Sequence, residues 1–371
     1  MDAVSGSGFP GEPEPAGEAA GAPASAFAFE GDWKEFAPIA FTNLLLSIVT
    51  LGIYRFWAVT RERQYLWSRS RFIDEPLEWT GTGMELFIGF LMAILLLGLP
   101  YLVVTLISQG AVLRGQEEVA AIIALVSGLV LFYFVGVARF RALRYRLSRS
   151  QWYGIRGGSD DPGFGYGFSY IWKSIVGALA AGLMIPWAMC SLWDERWHKM
   201  SFGPHRFISN TEAGPLMKRF LLFYLLPILL AVVGAVVGGQ SLAGGGSSAA
   251  FGAMIILLLV AGVAYLVLPV VWLLYYAKFY RNAVGGLSLD SLTFGFRARS
   301  ADWLLLFLGD IAIVVGTLGI GSIFLGYRHW KFFVTHMEAY GEIDLDRLTQ
   351  SATARASQGE GLLDALDVGA F

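Results

Sequence analysis

Seven apolar stretches dominate the chain, at roughly 37–58, 84–108, 119–138, 170–193, 220–239, 252–276 and 303–326. Each approaches or exceeds the ~20 residues that a helix needs to cross a hydrocarbon core. Polar connections separate them. The chain is 56% hydrophobic and 15% charged, against about a quarter charged in ordinary soluble domains. Because the excess is concentrated in long runs, the sequence predicts an all-α integral membrane protein, a multi-pass helical bundle. A formal net charge of −2 leaves no electrostatic footprint for nucleic acid. The single cysteine, Cys190, cannot close an intrachain disulfide, so packing must hold the fold. The forty-five glycines suit close helix approach and broken helices in a bilayer.

The ends read differently. Residues 1–28 are Gly-, Ala-, Pro-, Ser- and Glu-rich and contain no Lys or Arg. They lack the basic start and apolar core of a secretory signal and read as a disordered acidic tail. Insertion then relies on the first apolar segment. Residues 341–371 form a polar, acidic and mobile tail, with Leu362-Leu363-Asp364-Ala365-Leu366 as either an amphipathic turn or a docking peptide.

Internal repeats organise what lies between. Aligning Gly52, Gly182 and Gly319 places a polar residue nine positions earlier in each copy: Asn43, Lys173 and Asp310. Thr50-Leu51-Gly52-Ile53 returns as Thr317-Leu318-Gly319-Ile320, Trp57 matches Trp187, and Arg61 matches Arg328. Ala138-Arg139-Phe140 is echoed by Ala277-Lys278-Phe279. The expected units are a first repeat over 29–165, a second over 166–300, and a third copy of the Gly-broken element over 301–340. The glycines are the expected hinges.

Charge bears on topology. If every segment crosses, the second repeat is inverted and equivalent basic loops fall on opposite faces, against the positive-inside tendency. If the Gly-broken element enters and returns, four crossings remain, every basic loop is cytoplasmic, and so are both tails. Only loops 109–118 and 240–251, with the single basic residue Arg114, then lie outside. The broken segments are still long enough to span, so both arrangements stand at this point.

Asn43-Leu-Leu-Leu-Ser-Ile-Val-Thr-Leu-Gly-Ile-Tyr, followed by Trp57, Arg61, Tyr65 and Glu78-Trp79-Thr80-Gly81-Thr82-Gly83-Met84-Glu85-Leu86-Phe87, resembles the opening signature of the YjgN-like family. The resemblance extends over about residues 27 to 340. It weakens in the second copy, where Lys173 replaces Asn, and in the third, where Asp310 does. It implies a bacterial inner-membrane location and a domain of unknown function, and it brings no activity, substrate or cofactor.

Four polar residues are candidates for an intramembrane site. Asp310 sits about seven residues into its segment, ~10 Å deep at the helical rise, where an ionisable group suggests function. Lys173, of opposite charge, is its counterpart and could pair with it across the repeats. Against that, Lys173 could snorkel to the interface and Asp310 could accept a structural hydrogen bond. Asn43 suits an interhelical hydrogen bond. Glu85, straight after Gly81-Thr82-Gly83, suits a helix N-terminus. In segment 54–72 aromatic residues alternate with arginines, and segment 327–337 repeats the design. Arg55, Arg61, Arg63 and Arg328 are therefore candidate contacts to anionic lipid phosphates, or simple topology anchors.

His198, His205, His329 and His336 have no ligand-spaced partners, so no metal is expected. Gly157-Gly158 and the glycines of 163–167 are read as loop glycines that follow no strand, and no Walker loop or nucleophile elbow appears, so no cofactor is expected. Two functions remain: a transporter- or channel-like permeation protein for a small solute or ion, and a non-transporting protein that binds anionic lipid or scaffolds partners. Nothing in the sequence supports an enzyme or fixes an oligomeric state.

Overall fold

The computed structural model of the chain describes residues 26–244, 247–344 and 348–354. Strand β1 (Phe27–Phe29) precedes helix α1 (Trp33–Val49), which breaks and continues as α2 (Arg55–Ser68). Strands β2 (Ser70–Phe72), β3 (Glu75–Pro76) and β4 (Glu78–Trp79) follow. Helix α3 (Gly83–Ala93) passes through a π-helical turn at Ile94–Gly98 into α4 (Leu99–Leu113), and α5 (Glu117–Arg149) returns. Strands β5 (Ser150–Trp152) and β6 (Ile155–Gly158) lead to α6 (Phe164–Ala178), a second break, and α7 (Ile185–His198). Next come β7 (Ser201–Phe202), β8 (His205–Ser209), the short α8 (Gly214–Phe220), and the long helices α9 (Leu222–Gly244) and α10 (Ser247–Gly285). Strands β9 (Leu287–Leu289) and β10 (Leu292–Phe296), helices α11 (Ser300–Gly316) and α12 (Leu325–His336), and β11 (Met337–Tyr340) complete the order.

Among the described residues four helices are long and apolar enough to cross a membrane: Gly83–Leu113, Glu117–Arg149, Gly214–Gln240 and Met254–Gly285. They form two hairpins, α3–α4 with α5 and α9 with α10. The apolar stretches at 37–58, 170–193 and 303–326 do not form continuous helices of that length, because each is interrupted at its glycine. Helix α5 has 33 residues, so at 1.5 Å per residue it is about 50 Å long, well beyond a ~30 Å hydrocarbon core. Its burial records the excess. The buried residues Val137, Phe140, Ala142, Arg144, Tyr145 and Ser148 cluster at its C-terminal end. In α10 the buried set, among them Val271, Tyr275, Phe279 and Ala283, also begins late.

Those ends are buried by a feature that the all-α expectation missed. Eight strands, β4 to β11, form one antiparallel sheet in chain order, and β1, β2 and β3 form a second. Representative registers are Glu78↔Gln151, Gly157↔Phe202, Ile208↔Ser288 and Phe296↔Met337. Each helical element hands the chain to a strand and receives it back, so the sheet ties every element together at one end. Both sheets share a core of Phe72, Trp152, Leu292 and Leu348, with Phe27, Phe202 and Phe294 against it. The strands have two to five residues, too short to show alternation, and only Arg71, Arg156 and Arg206 of the described Lys and Arg residues lie in them, most others sitting on helices. The polar end is partly folded too. Leu348 enters this core, Gln350 Nε2 donates to Gly154 O at 2.8 Å, and the Arg156 guanidinium donates to Ser351 O at 3.4 Å. The expected mobile tail therefore packs at 348–354. The first 25 residues and the Leu362–Leu366 motif lie outside the described residues.

Candidate functional site

The three breaks have one backbone solution. Leu51 and Gly52 have φ of 51° and 88°, Ala181 and Gly182 58° and 86°, Leu318 and Gly319 51° and 93°. A left-handed residue ends a helix, and glycine adopts that conformation without steric penalty. Thr50 and Thr317 make the break local. Each hydroxyl donates to the carbonyl four residues back, Leu46 O at 2.7 Å and Ile313 O at 2.6 Å. Each then accepts the N–H four residues on, Tyr54 N at 2.9 Å and Gly321 N at 2.7 Å. Leu51 and Leu318, at the tips, are 93% and 95% exposed.

Behind each tip the polar residue of the first helix meets the second helix. Asn43, buried, donates through Nδ2 to Ala58 O at 3.2 Å and Glu62 Oε1 at 3.3 Å, and accepts from Arg61 Nη1 at 3.5 Å. Asp310 accepts from Arg328 Nε at 2.9 Å and lies 2.6 Å from His329 Nε2. Lys173, buried, donates to Glu195 Oε2 at 2.6 Å and Ser191 O at 3.3 Å. Lys173 and Asp310 are thus not brought together, because each charge is closed inside its own broken helix. A partner on the second arm, 22 residues on for Lys173 and 18 for Asp310, satisfies it without the two elements having to converge.

Glu85 combines two roles. With Thr82 it forms a reciprocal N-terminal cap of α3. It also accepts from Arg149 Nη2 at 2.8 Å and from Tyr145 Oη at 3.1 Å, which fixes the start of the first hairpin against the end of its return helix. Of the candidate lipid contacts, Arg55 is exposed. Arg61 is exposed and also bonds Tyr54 Oη at 3.1 Å, while Arg328 is engaged by Asp310. Arg63 is buried, with its guanidinium 4.9 Å over the Trp79 ring.

Arg63 belongs to a cavity of about 430 Å³ between α2, α12, the ends of α5 and α10, and α11. Its walls include Trp272, Tyr276, Trp303 and Phe333, with Arg63, Arg146, Glu62 and His329 as polar groups. The Trp67 and Trp330 rings stack at 3.9 Å on one side, and Trp303 stacks on Tyr280 at 5.6 Å on another. Glu62 and His329, at the same position after Gly52 and Gly319, are the groups bonded to Asn43 and Asp310. Two of the sequence candidates therefore reach this cavity through a neighbour rather than lining it. The aromatic pocket itself escaped sequence reading, because its walls come from five elements. A second cavity, of about 470 Å³ and almost wholly apolar, lies between α4 and α5, lined by Leu97, Tyr101, Ile122, Val126 and Phe134 among others. A third, of about 150 Å³, lies between α5, α6, α7 and α10. Among the described residues no group of three metal-ligating side chains converges.

A family profile described as bacterial protein of unknown function (DUF898) matches residues 24–365. The inner membrane protein YjgN of Salmonella typhimurium is 32% identical over 68 residues, which is 18% of this chain and 17% of that protein. The Escherichia coli K12 protein of the same name is 32% identical over 69 residues, 19% of this chain and 17% of its own length. The chain thus matches about a sixth of the length of these relatives. No solved structure matches it. The family match spans most of the chain, which belongs to the DUF898 family.

Proposed function

We propose that this DUF898 protein is a multi-pass inner-membrane protein that holds an anionic amphiphile, with two hairpins in the bilayer and the sheet layer on the cytoplasmic side. In this reading the three broken helices are copies of one re-entrant element and the two hairpins copies of another. The exposed tips Leu51 and Leu318 dip into lipid without crossing. The basic residues gather in and near the sheet layer, as the positive-inside tendency asks, and both described termini pack there.

The observation that carries the function is the composition of the 430 Å³ cavity. It sits where α5 and α10 leave their apolar portions, at the depth of lipid headgroups. Aromatic walls with two arginines, Arg63 and Arg146, against one carboxylate, Glu62, match a ligand that is apolar at one end and negative at the other. Its size falls in the range of ligand pockets. The apolar groove between α4 and α5 adds a second surface of acyl-chain character. The two hairpins each pack within themselves, and among the described residues no extensive face joins them, which favours binding over conduction.

A permeation pathway is the second reading. The observation in its favour is Asp310, whose side chain is 14% exposed and bonded to His329 on the cavity wall. One experiment separates the readings. Gly326 lines the cavity and a Cβ there would meet nothing within 4 Å, so Gly326→Trp adds bulk at the cavity wall without a backbone clash. Native mass spectrometry should find anionic lipid retained by the wild type and lost from Gly326→Trp. Equal retention, together with solute flux in proteoliposomes that Gly326→Trp blocks, would favour permeation instead.

A further inference from the structure

The 150 Å³ cavity is walled by Arg139, Arg196, Tyr166, Tyr170, Tyr276 and Tyr280 among others. Arg196 is 7% exposed, and its Nε is buried with no hydrogen-bond partner. Its guanidinium lies 5.4 Å from the Trp193 ring. Among the described residues no carboxylate forms an ion pair with it. Arg139 Nη1 donates to Tyr170 Oη at 3.2 Å, which leaves further guanidinium donors. Arg146 lies close enough for its charge to act on Arg196 as well. Glu195, next to Arg196 in the chain, is engaged by Lys173 at 2.6 Å and by Lys199 at 3.8 Å. Two arginines, Arg139 and Arg196, therefore face one small cavity whose lining includes no carboxylate.

Such an arrangement is unfavourable alone, since a buried unpaired charge forfeits its hydration. Burial accordingly pulls the Arg196 guanidinium below its ordinary value, with Tyr166 opposing and Arg139 adding to the fall. An anion in the cavity would remove the penalty. The volume equals that of about five waters in bulk, which fits a tetrahedral oxyanion and not a whole lipid. Arginine forks grip such oxyanions bidentately, and tyrosine hydroxyls add donors.

We infer that Arg139 and Arg196, with the tyrosines around them, form a binding site for a phosphate group, supplied either by free phosphate or by a lipid phosphomonoester headgroup. The site shares Tyr276 and Tyr280 with the larger cavity but does not depend on an amphiphile filling it.

The test uses purified full-length protein titrated with inorganic phosphate and, separately, with mixed micelles containing phosphatidic acid, read by calorimetry and thermal shift. Saturable binding of either is expected. Binding of both points to free phosphate as a sufficient ligand, and binding of phosphatidic acid alone identifies the headgroup as the source. Arg196→Gln and Arg139→Gln should each weaken the dissociation constant roughly tenfold or more, the scale of a lost charged hydrogen bond. Lys218→Gln, on the exposed face of α8, should leave it unchanged. If Arg196→Gln does not fold, Arg196→Lys keeps the charge, loses the fork and should give an intermediate loss. Gly326→Trp should leave phosphate binding intact, which separates this site from the amphiphile cavity. Absence of saturable binding in the wild type, or binding indifferent to both arginine variants, would overturn the inference.

Discussion

Asp310 Oδ1 accepts a hydrogen bond from Arg328 Nε at 2.9 Å, across the left-handed turn at Gly319 that separates α11 from α12. The contact makes a broken helix behave as one unit, because it ties the two arms behind the tip. Asn43 and Arg61 stand in the same relation to Gly52, at 3.5 Å. Removing one partner should therefore cost more than an exposed surface pair would. Asp310→Asn or Arg328→Met should each destabilise the protein by about 1–3 kcal/mol, the penalty of leaving a largely buried charged partner unsatisfied. Thermal unfolding in detergent would register it.

Charge reversal tests the local pairing in the middle element. Lys173→Glu alone should lower the melting temperature, and adding Glu195→Lys should restore most of the loss. Combining Lys173→Glu with Asp310→Lys should not restore it, because those residues belong to separate elements. A double-mutant cycle gives the coupling directly.

Cys190 provides a chemical readout of packing. Burial, with Asp194 adding to it, pushes the thiol up from 9.0 to about 12. The thiolate is the reactive form, so its population near neutral pH should fall roughly a thousandfold, one decade per pH unit. Maleimide should leave Cys190 unmodified in the folded protein and modify it after denaturation.

Acid stability should depend on Asp161. Burial opposes its ionisation, but the Gly163 N–H at 2.7 Å and Lys199 at 2.9 Å outweigh it, and the carboxyl lies below its ordinary value. Its contribution is therefore present above the unfolded carboxylate range and is lost as pH falls through the folded value. Asp161→Asn should lower stability at neutral pH and flatten the acid limb of a melting profile taken below pH ~4.

How much of this was legible follows from which interactions are local. The Thr50-Leu51-Gly52 and Thr317-Leu318-Gly319 breaks are visible because one hydroxyl and one glycine within a few residues determine them. The hairpins are visible because their apolar runs exceed a bilayer thickness. The sheet was not, since strands such as Glu78–Trp79 and Ser201–Phe202 hold too few residues for a pattern and take their order from helices far apart in sequence. Lys173 and Asp310 invited pairing by sign alone, whereas Glu195 and Arg328 stood nearer in the chain. Nothing in its spacing sets Arg196 apart from the other basic residues that follow the apolar runs, and Arg139 stands out only through its echo at Lys278. Their aromatic flanks, Phe140 in one case and Trp193 with Trp197 in the other, were the available hint that both are buried.

The central claim is that the broken helices enter and return, leaving four crossings with the sheet layer in the cytoplasm. The direct measurement is labelling of single cysteines at Lys34, Val112, Asn210 and Asp290, in a Cys190→Ser background, by a membrane-impermeant maleimide on intact spheroplasts. The account predicts labelling at position 112 alone, with 34, 210 and 290 reacting only after lysis. Labelling of 34 and 112 from the same side would mean that the first broken helix crosses, and would contradict it.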